Sequence, residues 1–163
     1  MIADQMRKIF AFNNWAWQHT FASIEQLGDA EYQPPRLLFE GSIHNTLVHC
    51  LSAESIWLSR CEGISPDSMF DPQQFSDFSA VRAAWQPLTL KWTSYVQSLS
   101  DDHCAQIVEY RNTRGNGFSL QLVDILQHVV NHATEHRSQL TPILYNLDVP
   151  TQPLDYMRFQ LRP

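Results

Sequence analysis

Several residue types are scarce in this 163-residue chain, and each scarcity excludes a class of protein. Only three cysteines occur, without CxxC spacing, so we expect no disulfide framework. Five glycines are few for a many-turned β protein, and no run of eighteen apolar residues could span a membrane. The sequence therefore predicts a helical protein of the reducing cytosol, that is, a cytoplasmic location.

Basic residues are also scarce, with 11 Lys+Arg against 17 Asp+Glu and a net charge of −6 when His is neutral. Diffuse acidity argues against a nucleic-acid surface, which needs a basic stripe, and against docking on anionic lipid. Near the N-terminus, Asn13 and Asn14 interrupt the apolar run and no small-residue cleavage site follows. We therefore expect no signal peptide, no nucleic-acid partner and no membrane partner.

Four long segments place apolar residues at the three- and four-residue spacing of a helix face. The predicted helices cover about 3–27, 42–61, 76–99 and 119–147. Gly28 ends the first helix, and Ser42 is a suitable N-cap for the second because its hydroxyl can accept from an unpaired backbone N–H. Pro87 is expected to kink the third.

The connections predict how these helices are assembled. Residues 62–76 are polar and could carry the chain across one end of a bundle. Residues 100–118 predict a loop or small hairpin, and the tail TQPLDYMRFQLRP predicts a short turn of helix. The expected fold is all-α, an antiparallel four-helix bundle with a long connection between helices two and three and a short C-terminal helical turn. It forms a single domain over residues 1–163.

Histidine is the residue type with the clearest functional meaning. His128, His132 and His136 recur at intervals of four, which places them on one helix face, one turn apart. His132 and His136 also occupy the apolar stripe of the fourth helix. A buried imidazole without a partner costs about 1–3 kcal/mol, and either hydrogen bonds to a neighbouring helix or a bound metal would remove that cost.

A metal site needs a third ligand, because a catalytic zinc usually takes three protein ligands and leaves a position for water. His49, midway along the second helix, is the best candidate, whereas His44 is expected to be solvated. His128 is the main rival, but the outer two of three histidines at this spacing lie about 12 Å apart along the axis. The predicted ligands are therefore His49, His132 and His136.

Two charged residues are weak candidates for catalysis. Glu54 could orient a histidine or accept a proton from metal-bound water, or it could be an ordinary solvated carboxylate. Arg137 could bind a carboxylate or phosphate, or it could be solvent-exposed. No HExxH motif, Ser-His-Asp order, phosphate loop or dinucleotide fingerprint is present, so no established catalytic class follows from the motifs.

Several segments resemble the DinB-like (damage-inducible) family. SIHNTLVHCLSAESIWLSR resembles its second helix, and LQHVVNHATEHRSQLTPIL resembles its fourth, whose usual form is close to H-x-x-N-H-x-x-x-H-R-x-Q. The resemblance implies a four-helix bundle, often a homodimer, with a divalent metal held by the histidines that match His49, His132 and His136. Trp17 replaces a frequent Asn, and Ser138 a frequent Gly, without removing a ligand.

Together the residues and the resemblance predict a divalent-metal-dependent enzyme that acts on a small molecule. Zinc or nickel is the expected ion. Because the family includes thiol-dependent transferases, a low-molecular-weight thiol is a candidate cosubstrate. Thiol transfer and hydrolysis both follow from an ion that lowers the pKa of a bound thiol or water. The alternatives are a non-catalytic, metal-stabilised binding or stress-response module and a metal-free bundle with hydrogen-bonded histidines.

Overall fold

The computed structural model describes residues 1–162 except for the side chain of Asp29, and Pro163, the last residue of the predicted domain, lies outside them. Four long helices form the bundle, as predicted, and shorter elements connect them. In chain order the elements are α1 (Ile2–Ile24), α2 (Asp29–Tyr32), α3 (Ile43–Cys61), α4 (Phe78–Gln97), α5 (Asp101–Ala105), β1 (Ile107–Arg111), β2 (Gly117–Gln121), α6 (Leu122–Asn146) and α7 (Tyr156–Gln160). The predicted C-terminal helical turn is α7.

Side-chain caps explain where two of the long helices begin. The Ser42 hydroxyl accepts from the backbone N–H of Asn45 at 3.0 Å, so α3 begins at the predicted cap. The Asp77 carboxylate accepts from the backbone N–H of Ala80 at 2.8 Å, which starts α4 two residues later than residue 76. The helix then continues through Pro87, which lies on its exposed side.

The segment between α4 and α6 contains the predicted small hairpin and corrects one helix boundary. Strands β1 and β2 pair antiparallel, with Ile107 opposite Gln121 and Arg111 opposite Gly117. Residues 119–121 therefore belong to β2, and α6 begins at Leu122 instead of at Ser119. Strand pairing decided this boundary, because it is a long-range contact that the local apolar spacing does not report.

Helix directions correct the predicted antiparallel arrangement. The indole N–H of Trp92 donates to the Glu54 carbonyl at 3.2 Å, and the Tyr95 hydroxyl donates to the Cys61 carbonyl at 3.4 Å. Contacts that advance together along both helices show that α3 and α4 are parallel neighbours. Helix α1 runs antiparallel to α4 and parallel to α6, and α6 runs antiparallel to α3.

The connection between α3 and α4 makes this parallel pair possible. Helix α3 has 19 residues and is about 28 Å long, whereas an extended chain of residues 63–77 could reach about 50 Å. The connection passes back along α3: the backbone N–H of Phe70 donates to Ser52 Oγ at 2.9 Å, and the Pro72 carbonyl lies 3.0 Å from His44 Nε2. It therefore runs the length of the bundle and does not cross one end.

The apolar stripes of the four long helices meet in one core. The stripe predicted for the first helix contains a buried polar residue, Asn13, among buried apolar side chains. The buried apolar members are Met6, Phe10, Trp17, Phe21 and Ile24. Within residues 1–162, none of the helices combines the length and apolar character that crossing a membrane requires. Asn13 in such a stripe indicates a polar contact inside the bundle, which the next subsection describes.

Candidate metal centre

Three histidines from two helices converge between α3 and α6, and we call His49, His132 and His136 the histidine cluster. His132 Nε2 lies 3.2 Å from His49 Nε2 and 3.2 Å from His136 Nε2. One ligand nitrogen from each ring lies within 4.8 Å of the others. Two nitrogens each about 2.0–2.1 Å from a tetrahedral ion lie about 3.3 Å apart, so the spacing fits a divalent metal.

Protons on the rings alone cannot satisfy this arrangement well. A neutral imidazole has one N–H and one lone-pair nitrogen. His132 Nε2 therefore forms one linear N–H···N bond at most, and its other 3.2 Å contact is left without one. His136 Nδ1 is buried and has no hydrogen-bond partner among residues 1–162. A cation among the three Nε2 atoms would engage a lone pair from each ring, so these residues could hold a metal ion.

The electrostatics of the cluster keep the rings in the form that binds a metal. Burial, followed by His136 and His49, lowers the pKa of His132 to about 3. Burial also lowers the pKa of His136, and His49 adds to the effect. Near neutral pH both rings are therefore uncharged, as metal ligands must be.

Glu40 is a neighbour of the histidine cluster that sequence reasoning missed. Its Oε1 lies 3.6 Å from His49 Nδ1, on the side of the ring away from His132. A carboxylate at that nitrogen favours the tautomer with the proton on Nδ1, which leaves the Nε2 lone pair for a metal. Glu40 stands in an irregular connection before α3, where no periodic pattern marks a residue as functional.

Of the other histidines considered from the sequence, His128 lies near the histidine cluster, and the predicted exposure of His44 is wrong. The His128 ring lies 5.7 Å from the His132 ring and 5.0 Å from Trp57, outside the group of three. His44, expected to be solvated, is instead buried: its Nδ1 lies 3.2 Å from the Tyr32 hydroxyl. The connection that returns along α3 covers this residue, which local sequence could not indicate.

Glu54 and Arg137 belong to a second polar group, and we call Asn13, Trp17, Glu54 and Arg137 the Glu54 cluster. Glu54 Oε1 accepts from Asn13 Nδ2 at 3.1 Å and from Trp17 Nε1 at 2.9 Å. Arg137 donates to Asn13 Oδ1 at 2.6 Å and to Thr134 Oγ1 at 3.0 Å. These bonds join α1 to α3 and α6 across the core.

This placement excludes the alternative that Glu54 and Arg137 are solvent-exposed. Glu54 is 5% exposed and Arg137 is 3% exposed. Burial raises the pKa of Glu54, against hydrogen bonds from Asn13 and Trp17 that lower it, and burial lowers the pKa of Arg137 to about 10. One sequence signal for this cluster existed, because Asn13 interrupts an otherwise apolar helix stripe.

Comparisons with known proteins show the family to which the chain belongs. A family model, described as the DinB family, matches residues 1–162. The chain belongs to the DinB family. Protein DinB of Bacillus subtilis (strain 168) is 20% identical over 162 residues, which cover 95% of this chain and 93% of that protein. The resemblance predicted from the histidine-containing segments is thereby confirmed.

A solved structure supports the fold of this DinB-family chain. It is similar to YfiT from Bacillus subtilis, described as "a probable metal-dependent hydrolase with an unusual four-helix bundle topology". The TM-score is 0.69 at 14% sequence identity, and the match covers 90% of each chain. At this identity the likeness shows the fold, and the predicted four-helix bundle is confirmed.

Proposed function

We propose that this DinB-family chain is a divalent-metal-dependent enzyme acting on a small molecule, with His49, His132 and His136 as the metal ligands. The observation that carries the proposal is the convergence of three Nε2 atoms at metal-ligand spacing between α3 and α6. The description of YfiT as a probable metal-dependent hydrolase supports the same chemistry.

The donor set supports an open site. Among residues 1–162 the group contains these three histidines and no fourth His, Cys, Asp or Glu. A structural zinc site is usually closed by four protein ligands, whereas a catalytic one keeps a position for water or substrate. His49 and His132 are only half-buried, which gives a small molecule a route to that position.

Imidazole nitrogens suit zinc and nickel, which we propose as the bound ions. Such an ion lowers the pKa of a bound water or thiol and stabilises charge on a polarised oxygen. The chain's residues hold the three imidazoles in place, and Glu40 orients the ring of His49. Hydrolysis uses water as the nucleophile, and thiol transfer uses a low-molecular-weight thiol. We propose these two reactions for a homodimeric protein that does not bind nucleic acid.

Elemental analysis tests the site directly. Wild-type protein, a His132→Ala variant and a His103→Ala control are loaded with zinc or nickel and passed through a desalting column. His103 is exposed at the start of α5, so its loss should leave the metal content unchanged. We expect about one ion per chain in wild type and control and a background level in His132→Ala. Equal metal content in all three proteins would refute the site.

Activity assays then separate an enzyme from a binding module. A screen of electrophilic substrates with small thiols comes first, followed by a hydrolase screen with ester, amide and phosphoester substrates. We expect turnover in one screen that depends on added metal and is lost in His132→Ala. If the protein binds stoichiometric metal but turns over no substrate in either screen, the non-catalytic stress-response module becomes the better explanation.

A further inference from the structure

A cavity of about 160 Å³ lies between α1 and α4, apart from the histidine cluster. Four of its thirteen lining residues are aromatic, and none of the three proposed metal ligands lines it. The aromatic lining residues are Phe10, Trp17, Trp85 and Trp92. With each water occupying about 30 Å³ of liquid, the volume equals about five waters, so the cavity suits a ligand with few non-hydrogen atoms.

Glu54 supplies the one carboxylate among the residues that line this cavity. Its Oε1 accepts hydrogen bonds from Asn13 and Trp17, but its Oε2 accepts none from any residue of the described chain. A carboxylate has about four acceptor positions, so half of this buried group's capacity is unused. A carboxylate oxygen without a protein donor, on a residue that lines a cavity, favours a ligand that brings positive charge or N–H donors.

The hydrogen-bond chain behind Glu54 directs negative potential towards the cavity. Arg137 donates to Asn13 Oδ1, and Asn13 donates to Glu54 Oε1, so the positive end of the chain is the more distant one. Arg7 also lines the cavity, but its guanidinium already donates to Asp4 at 2.7 Å and to the Leu99 carbonyl. The negative charge among the lining residues is therefore that of Glu54.

The aromatic walls complete the recognition of a cation. The indole N–H groups of Trp17 and Trp92 both donate to Glu54, one to its side chain and the other to its carbonyl. With those N–H groups occupied, the rings offer π surface and not hydrogen-bond donors. The Trp17 and Trp85 rings lie 4.6 Å apart, and those of Phe10 and Trp92 lie 4.8 Å apart. Aromatic walls beside a carboxylate are the usual surroundings of a bound ammonium group.

We propose that this cavity binds a small organic cation, of the quaternary ammonium or alkylamine class. Glu54 Oε2 provides the counter-charge, and the rings of Trp85 and Trp92 provide cation–π contacts. The Trp17 ring already has the Arg137 guanidinium 4.9 Å from its centroid. The site is independent of the proposed metal chemistry, because it shares no residue with the histidine cluster.

The test compares two ligands of the same shape that differ in charge. Choline and its neutral isostere 3,3-dimethylbutan-1-ol are titrated into the full chain by calorimetry at constant ionic strength. We expect saturable binding of choline and about tenfold or more weaker binding of the neutral isostere. Equal affinities, or no saturable choline binding, would overturn the proposal and leave the cavity as a packing void.

Variants locate the binding in this cavity. Glu54→Gln keeps an acceptor for Asn13 and Trp17 but removes the charge, and we expect choline affinity to fall about tenfold or more. Thr93→Trp narrows the cavity from its wall, whereas Ser94→Trp is its matched control because Ser94 is exposed and outside the lining. Thr93→Trp should abolish binding and Ser94→Trp should preserve it, a comparison that still decides the question if Glu54→Gln does not fold.

A metal-site variant separates this proposal from the proposed function. His132→Ala should lose metal and keep choline binding. If the His132→Ala variant loses both metal and choline binding, the proposed cation site is wrong, whereas the proposed metal site still stands.

Discussion

The histidine cluster and the Glu54 cluster are both polar groups inside one bundle, and both take side chains from α3 and α6. In the Glu54 cluster each engaged donor has an acceptor: Arg137 bonds Asn13, and Asn13 bonds Glu54. In the histidine cluster, nitrogens meet at 3.2 Å and linear hydrogen bonds cannot join them all. The first group is held together by hydrogen bonds between its members, with only Glu54 Oε2 left without a protein donor. The second group could be completed by a bound ion. Buried polar groups thus mark a binding site where their mutual pairing is incomplete.

The largest expected change in the free energy of unfolding comes from removing Arg137 from the Glu54 cluster. Arg137→Met removes the cation of this buried network and leaves Asn13 Oδ1 without its donor. Removing one charged member of a buried network costs about 3–5 kcal/mol in the free energy of unfolding. Lys91→Met, on the exposed side of α4, should change it by about 0.5 kcal/mol or less. Denaturant unfolding of the metal-free proteins measures both, and both should still bind metal. A stable Arg137→Met variant that no longer binds metal would contradict this division, in which the Glu54 cluster stabilises the fold and the histidine cluster binds the metal.

Removing the metal should have the next largest effect. An ion at one hundred times its Kd stabilises the folded chain by about 2.7 kcal/mol. For a chain of this size a chelator should then lower Tm by about 5–10 °C. The measurement is thermal unfolding followed by circular dichroism, with and without the chelator. His132→Ala should show no such shift, and an equal shift in that variant would place the ion elsewhere.

Glu40→Gln tests the carboxylate beside the histidine cluster. Loss of a carboxylate that orients a ligand histidine typically weakens metal binding about 10–100-fold, while leaving the ligands in place. Competition with a chromophoric chelator measures the affinity. Glu62→Gln, an exposed position just beyond α3, is the control and should bind as wild type does. Unchanged affinity in Glu40→Gln would mean that Glu40 does not orient His49.

The pH dependence of the free energy of unfolding should also differ between the two clusters. The pKa of His132 is lowered to about 3, so between pH 6.5 and pH 3 its unfolded ring takes up a proton that the folded ring does not. The free energy of unfolding of the metal-free chain should therefore fall as pH falls through this window. The pKa of Glu54 is raised, so its contribution has the opposite sign, and stability is gained as pH falls through the folded pKa.

Denaturant unfolding is measured across this pH window with chelator present. The difference between wild type and each variant gives the contribution of His132 or of Glu54 to the pH dependence. Wild type should lose more stability on acidification than His132→Gln, and it should lose less than Glu54→Gln. Identical pH profiles for wild type and His132→Gln would show that the His132 pKa is not depressed in the folded chain.

Much of the fold and part of the site could be predicted from local patterns. Intervals of three and four residues predicted the four long helices, and Ser42 predicted the start of α3. The four-residue interval between His132 and His136 placed both rings on one face of α6. The interval works because helical geometry relates neighbours along the chain without regard to the rest of the molecule. The single domain over residues 1–163 and the homodimer remain predictions.

Other features depended on contacts between residues far apart in sequence. The parallel course of α3 and α4, the burial of His44 under the returning connection and the position of Glu40 beside His49 all depend on how segments pack. Glu54 was weighed as a solvated carboxylate because its own neighbours do not reveal that Asn13 and Trp17 lie opposite. The direction and rotation of each helix decide which side chains meet, and the local spacing of apolar residues indicates neither.

The sequence by itself determined the helical faces and put two imidazoles side by side, because both follow from the 3.6-residue turn of a single helix. Only the tertiary structure decided that His49 meets these imidazoles while Glu54 and Arg137 bond to α1. Which polar groups share a space in the core depends on the packing of separate helices, and the free energy of that packing belongs to the whole bundle.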